Sequence, residues 1–322
     1  MTQLNEFALI ERYFAPQIEG ENRPLLGIGD DGALVAVPSA EALVVTTDTL
    51  IAGVHFPEDA TAATIGHKAL AVNLSDLAAM GARPRWFTLS LTLPRADEHF
   101  LAPFAEAMLR LAQRYQVALI GGDTVRGDRL AVTIQALGTV VAERALRRSG
   151  AKVGDTLYLT GTIGDAAAGL TLWQQQQRSE PWQQQLIERL TCPTPRVEAG
   201  LALAGLASAA IDISDGLAAD LGHLCRLSGV GAKVDIGQLP RSVALQQWSG
   251  ASLTDWFNGG DDYELCFSAA AELTPNIAQL ADRLGLALTA IGEIVAPAQG
   301  VSWWQGGSRV ATIVAAGGYR HF

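Results

Sequence analysis

The sequence predicts an α+β / α/β protein of two domains, and three observations carry that expectation. Short runs alternate apolar and polar residues, as in Val44-Val45-Thr46-Thr47-Asp48 and residues 85–93, which is the period-two signature of strands. Between them lie helical stripes such as Leu70, Leu74 and Leu77. The chain is 322 residues long, 49% hydrophobic and only 17% charged, enough for two well-buried cores.

In chain order, residues 6–13 read as a short amphipathic helix, and 33–37 and 43–48 as strands. Residues 61–80 form a helix that Gly81 stops. A strand at 85–93, a helix at 97–115 and a strand at 117–120 follow, the last running into a Gly121-Gly122-Asp123 turn. With a strand at 130–140, this half is a mixed sheet with two long helices. The basic stretch 142–155, holding Arg144, Arg147, Arg148 and Lys152 with Gly150 and Gly154, marks a domain boundary. The expected domains are therefore 1–141 and 142–322. In the second, a strand at 156–160 leads through Gly161-Thr162-Ile163-Gly164-Asp165 into a helix, and the Gln-rich stretch 174–185 reads as an exposed helical excursion. Helices at 196–207, 216–227 and 275–284 alternate with strands at 209–213, 232–235, 263–267 and 288–293.

Charge narrows the function. The formal net charge is −10 and no Lys/Arg run could track a nucleic-acid backbone, so no nucleic-acid partner is expected. The same charge disfavours an anionic substrate unless divalent cations reverse the field. Cys192, Cys225 and Cys266 have neither CxxC nor Cys/His spacing. They read as buried free thiols, which fits a reducing, cytoplasmic setting. The opening MTQLNEFALIERYF carries acids and no continuous apolar core, so no signal peptide is expected. The longest apolar run, 199–211, is too short and too rich in Ala and Gly to span a bilayer.

The carboxylates carry the chemistry. There is no G-x-x-x-x-G-K-[ST] and no protein-kinase signature, and the 161–164 loop serves equally as a phosphate cradle or a tight turn. Acids instead recur in short motifs: Gly29-Asp30-Asp31-Gly32, Thr46-Thr47-Asp48, Asp76, Gly122-Asp123, Asp212-Ile213-Ser214-Asp215 and Gly259-Gly260-Asp261-Asp262. Alternation puts Thr46 and Asp48 on one face of their strand and Thr47 on the other, while Asn73 and Asp76 share a helix flank. A lone Asp215 at a strand-to-helix corner would be an N-cap, but so many acids exceed that need. Two carboxylates 4 Å apart repel by about 4 kcal/mol at an effective dielectric near 20, so clustering them makes sense only with cations. Oxygen-only donors select Mg²⁺ or Mn²⁺ over zinc, which points to a phosphotransferase.

In order, GIGDDGAL, TTDTLIAGVHF, NLSDLAAMGARP, GGDTVRG, RSGAKVGD, TGTIGD, DISDGLAADLGHL and GGDDYEL resemble the thiamine-monophosphate kinase family. That family sits in a superfamily with aminoimidazole ribonucleotide synthetase, selenophosphate synthetase and the hydrogenase-maturation dehydratase. The resemblance implies an N-terminal mixed-sheet domain forming a dimer β-barrel and a C-terminal α/β sandwich domain. It implies ATP and several Mg²⁺ ions acting on thiamine monophosphate. Asp30, Thr46, Thr47, Asp48, Asp76, Asp123, Asp212 and Asp215 would hold metal, with Asp48, Asp123, Asp212 and Arg148 catalytic. Gly122, Asp123, Arg148 and Ser214 would contact ATP, and His55, Asp262, Glu264 and Tyr319 the thiamine substrate. Two positions depart from the family pattern: Asp261 stands for a common Glu, and Tyr319 for a common Trp. The alternatives are another ATP-dependent enzyme of the superfamily or a non-catalytic Mg-ATP-binding protein. Selenophosphate synthetase would need a reactive N-terminal Cys, whereas the first Cys here is Cys192.

Overall fold

The computed structural model describes residues 6–15, 21–248 and 256–310, with the backbone alone for 6–9. The chain divides into two compact units, residues 1–77 with 82–143 and residues 78–81 with 144–322. The architecture is a two-domain α+β fold with mixed sheets. No helix among the described residues is long and apolar enough to cross a membrane.

The first unit runs α1 (Glu6–Tyr13), β1 (Ala42–Ile51), α2 (Ala62–Ala79), β2 (Arg83–Leu93), α3 (Glu98–Arg114), β3 (Ala118–Arg126) and β4 (Ala131–Val140). Its sheet has the order β1-β4-β2-β3. The β2–β3 pair is parallel, as a helical crossover through α3 requires, and the other pairs are antiparallel. Phe87, Leu89, Leu91, Val132 and Ile134 are buried on one face. Leu43 and Val45 on the other face of β1 stay 41% and 51% exposed. Asp97 caps α3 by accepting the His99 N–H. Where α2 meets α3, a Cβ on Gly66 would stand 2.2 Å from the Phe104 carbonyl oxygen, so only glycine permits that approach.

Two expectations fail in this unit. Residues 33–37 are not a strand: the Asp30-Asp31-Gly32 turn folds the chain back, and only Leu34 pairs, with Leu26. Nor does Gly121-Gly122-Asp123 turn. It lies inside β3, which continues to Arg126 after a register shift opposite Phe87 and Thr88. A Cβ on Gly122 would come within 1.9 Å of the Leu89 carbonyl oxygen, so the glycine serves close strand packing rather than a reversal.

The second unit runs β5 (Thr156–Thr160), α4 (Asp165–Gln174), α5 (Pro181–Thr191), α6 (Val197–Leu203), β6 (Ala209–Asp212), α7 (Leu217–Ser228), β7 (Gly231–Asp235), α8 (Val243–Gln247), β8 (Leu265–Ala269), α9 (Thr274–Leu284), β9 (Leu288–Val295), β10 (Val301–Gln305) and β11 (Ser308–Arg309). The sheet order is β11-β10-β7-β9-β5-β8-β6, with β10–β7 its parallel pair. Leu157, Leu159, Ile211, Leu221, Leu224, Ile291 and Trp303 are among the residues of one continuous core.

The Gln-rich stretch is exposed at residues 174–181, 184 and 185, as expected, but it is anchored at its ends. Trp173 and Trp182 pack against that core, and Gln183 is buried, closing a capping box with Glu180 at the start of α5. The strand expected at 263–267 begins only at Leu265, because Asp261 and Tyr263 adopt left-handed backbone with φ of 62° and 50°.

Candidate active site

In the first unit the alternation of β1 aims Thr46 and Asp48 at α2. The Thr46 hydroxyl donates to Asp76, and the Asn73 Oδ1 accepts the Asp48 backbone N–H at 3.2 Å. Asp48 and Asp76 therefore crowd together. The Asp48 carboxyl is pushed up to about 7, by burial first and then by the Asp76 charge. Thr47 is not part of this group: it points to the opposite face, where its Oγ1 accepts from Gln135 at 3.4 Å. The same period-two geometry pairs Thr49 with Thr133 on that outer face.

Asp30, Gly122 and Asp123 meet at a second place in this unit, a cavity of about 730 Å³. Its apolar lining includes Ile10, Phe14, Ile28 and Leu119, and its acids are Glu11, Asp30, Asp31 and Asp123. Among the described residues no Lys, Arg or His lines it. His55 lies in the turn after β1, where its Nδ1 accepts the Ile51 N–H at 3.0 Å and its own N–H returns to the Ile51 carbonyl. In the neutral ring that leaves the proton on Nε2.

Among the described residues no three His, Cys, Asp or Glu side chains stand close enough to hold an ion by themselves. The donors gathered on β1 and α2 are all oxygen and come as a crowded carboxylate pair. That suits Mg²⁺, which keeps several waters and takes one or two carboxylates plus phosphate oxygens.

In the second unit two acidic segments pack back to back. The Ser214 carbonyl accepts the Asp261 N–H at 2.8 Å, the Ile213 carbonyl accepts the Tyr263 N–H at 2.8 Å, and the Glu264 carbonyl accepts the Ile213 N–H at 2.8 Å. Asp212 is buried at the end of β6, with Ser214 and Asp215 in the turn to α7. Asp215 is not the N-cap; Gly216 is, and Asp220 satisfies the turn instead. Arg148 is exposed on the segment that precedes β5.

Asp262 and Glu264 are wholly enclosed. Asp262 takes the Gly164 N–H on both oxygens, at 2.8 and 2.9 Å. The N–H groups of Gly161 and Ile163 go to the Ala287 and Pro240 carbonyls, so this loop is a tight turn and not a phosphate cradle. Glu264 is 0% exposed and accepts from Arg196 Nε at 2.6 Å, Arg189 Nη2 at 2.9 Å and Thr160 Oγ1 at 2.6 Å.

Burial raises the Asp262 carboxyl well above its ordinary value, although the Gly164 N–H and Arg189 pull it back. Ionising it costs more in the folded protein than in the unfolded chain. Its stability contribution is thus complete below pH 3.8 and declines as pH rises toward the shifted value. Asp262→Asn is expected to reduce the fall in melting temperature between about pH 5 and pH 8. Thermal melts across that range check it; an unchanged slope would clear Asp262 of the role.

Tyr319 lies outside the described residues. Sequence reasoning passed over Arg189, Arg196, Asp165 and Asp220. Arg189 sits in the Gln-rich helix and finds Glu264 only through tertiary folding. Asp220, in the first turn of its helix, was the one with a local signal.

Comparison with known proteins bears on the fold and the family. The family described as AIR synthase related protein matches through its N-terminal domain at residues 29–140 and its C-terminal domain at 152–305. Thiamine-monophosphate kinase of Salmonella typhimurium (strain LT2) is 47% identical over 98% of each chain. The crystal structure of thiamine-monophosphate kinase from Stenotrophomonas maltophilia K279a is 48% identical, superposes with a TM-score of 0.87, and covers 95% of this chain and 98% of that one. The structure of AaThiL complexed with AMPPCP and TMP is 29% identical with a TM-score of 0.78, covering 98% and 97%. The chain belongs to the thiamine-monophosphate kinase family.

Proposed function

We infer that this protein is an ATP-dependent kinase that phosphorylates thiamine monophosphate to thiamine diphosphate, using Mg²⁺. One observation carries the reading: a cavity with an apolar wall fit for a purine ring, lined, among the described residues, by four acids and no basic side chain. A triphosphate enters such a field only with divalent cations beside it. The related AaThiL binds AMPPCP and TMP together, the pairing that direct transfer between two bound substrates requires.

The acceptor is already a phosphate oxyanion, so no general base is needed. Its oxygen forms the new bond to the γ-phosphorus as the bond to the β,γ-bridging oxygen breaks and ADP leaves, in line and without a phosphoenzyme. Asp30, Thr46, Asp48, Asp76 and Asp123 would hold Mg²⁺, as would Asp212 and Asp215. When bound, the metal offsets the repulsion between the two polyanions. Gly122 and Ser214 would place the nucleotide, Arg148 would neutralise phosphate charge, and His55 and Tyr319 would flank the thiamine moiety. Asp262 and Glu264 reach the substrate through the loop they hold rather than by contact.

We assign the two domains to residues 1–141 and 142–322, and infer a homodimer in the cytoplasm. Exposed Leu43 and Val45 on the open face of β1 support pairing of that sheet with a second copy into a barrel. The functional test is ADP release with thiamine monophosphate, thiamine and an aminoimidazole ribonucleotide precursor offered side by side, each with and without EDTA. Turnover is expected with thiamine monophosphate alone and to vanish with EDTA. Turnover on the aminoimidazole precursor, or none on any substrate, would overturn the reading.

A further inference from the structure

Helix α7 follows the turn at residues 212–215, and its two ends are engaged in different ways. At the N-terminal end, the buried Asp220 Oδ2 accepts the backbone N–H groups of Ser214, Asp215 and Gly216 at 3.1, 3.0 and 3.1 Å. Three converging N–H groups at a helix start form an anion nest that would otherwise attract phosphate. Here the helix fills the nest with its own carboxylate. The turn can therefore serve the nucleotide only through its side chains, and their direction depends on how firmly the backbone is held.

At the C-terminal end a single hydroxyl organises a different segment. Ser228 Oγ accepts the Gly150 and Ala151 N–H groups at 3.1 and 3.2 Å and donates to the Arg148 carbonyl at 2.9 Å. Those contacts lie 77 to 80 residues apart in sequence, so no local turn explains them. Eight residues of helix separate Asp220 from Ser228, a rise of about 12 Å. The Arg148 backbone is thus pinned at the end of α7 opposite the acidic turn.

We propose that Asp220 and Ser228 are positioning residues: from the two ends of one rigid helix they fix the spacing between Asp215 and Arg148. This rests on the kinase reading above, in which Arg148 and Asp215 meet the Mg-nucleotide. A packing role alone would make Ser228 a staple whose loss lowers stability and alters both substrates alike. A positioning role affects the nucleotide selectively.

The test pairs amide hydrogen exchange with steady-state kinetics on the full chain, comparing wild type with Ser228→Ala, Ser228→Thr, Asp220→Ala and Asp220→Asn. Ser228→Ala is expected to lose protection at amides 150 and 151 and to raise KM for ATP about tenfold, a lost anchor's worth, with KM for thiamine monophosphate unchanged. Ser228→Thr, which keeps the hydroxyl, is expected to restore both readouts. Asp220→Ala is expected to expose amides 214–216 and lower kcat at least tenfold. Asp220→Asn retains an acceptor for those amides and is expected to recover most of the loss; it also stands in should the alanine variant fail to fold. Equal changes in both KM values, no change in either, or no rescue by Ser228→Thr would overturn the proposal. A wild-type protein that releases no ADP with thiamine monophosphate would fail before any variant is compared, and that result sinks the kinase reading and this proposal together.

Discussion

Asp48→Asn is expected to lower turnover by roughly two to three orders of magnitude, the usual loss when a preorganised charge at the transferred group is removed. The same substitution is expected to raise the melting temperature of the metal-free protein. The two effects share one cause. Asp48 is held against Asp76 by the Thr46 hydroxyl on one side and by Asn73 on the other, and burial with the Asp76 charge pushes its carboxyl up to about 7. Above that pH the folded protein carries an ionised pair that the unfolded chain does not confine, a burden on the order of a few kcal/mol. Neutralising one partner relieves the repulsion and removes the charge that a divalent cation would use. Loss of activity coupled to gain of stability is the mark of an acid kept for function. Thermal melts in EDTA at pH 8, beside turnover at saturating Mg²⁺, decide the matter. A variant that is both less stable and inactive would make Asp48 structural, and near-normal turnover would end its metal role.

The elements that lay closest to the chemistry were legible for local reasons. Period-two alternation through Val44-Val45-Thr46-Thr47-Asp48 placed Thr46 and Asp48 on the face that meets α2, and helical spacing put Asn73 and Asp76 on the flank that receives them. The same alternation sets Thr47 on the far face, against the ligand set that motif resemblance implied. What sequence could not supply was tertiary. Gly121-Gly122 reads as a turn by every local rule, and only Leu89 on the neighbouring strand explains why a strand needs glycine there. Arg189 looked like one charge in a glutamine-rich helix because its partner, Glu264, is 75 residues away. Glu264 was expected on a strand, but the left-handed residues Asp261 and Tyr263 delay β8 to Leu265 and turn the Glu264 carboxylate inward.

That inward turn separates two readings of Glu264. As a substrate contact, its removal would raise KM for thiamine monophosphate and leave the fold intact. The geometry favours the opposite outcome. The carboxylate is filled by Arg189, Arg196 and Thr160, and a Cβ on Gly161 would lie 2.3 Å from its Oε1, so no ligand atom has room beside it. Glu264→Ala leaves two guanidinium groups without their counter-charge, a loss of about 3–5 kcal/mol for a fully buried pair. Arg189 and Arg196 keep 21% and 17% of their side-chain exposure and can draw in water, which favours the lower end of that range. The melting temperature is expected to fall by about 10 °C. The damage extends beyond the ion pairs, because the Glu264 carbonyl holds the Ile213 N–H and the strained Asp261–Tyr263 backbone depends on the same back-to-back bonding. Glu264→Gln keeps the shape and the Thr160 bond but not the charge, so it should melt between wild type and Glu264→Ala, with KM for thiamine monophosphate close to wild type. A Glu264→Gln protein that melts like wild type yet binds thiamine monophosphate tenfold more weakly would return Glu264 to the substrate. It would also require the arginine clamp to open during turnover.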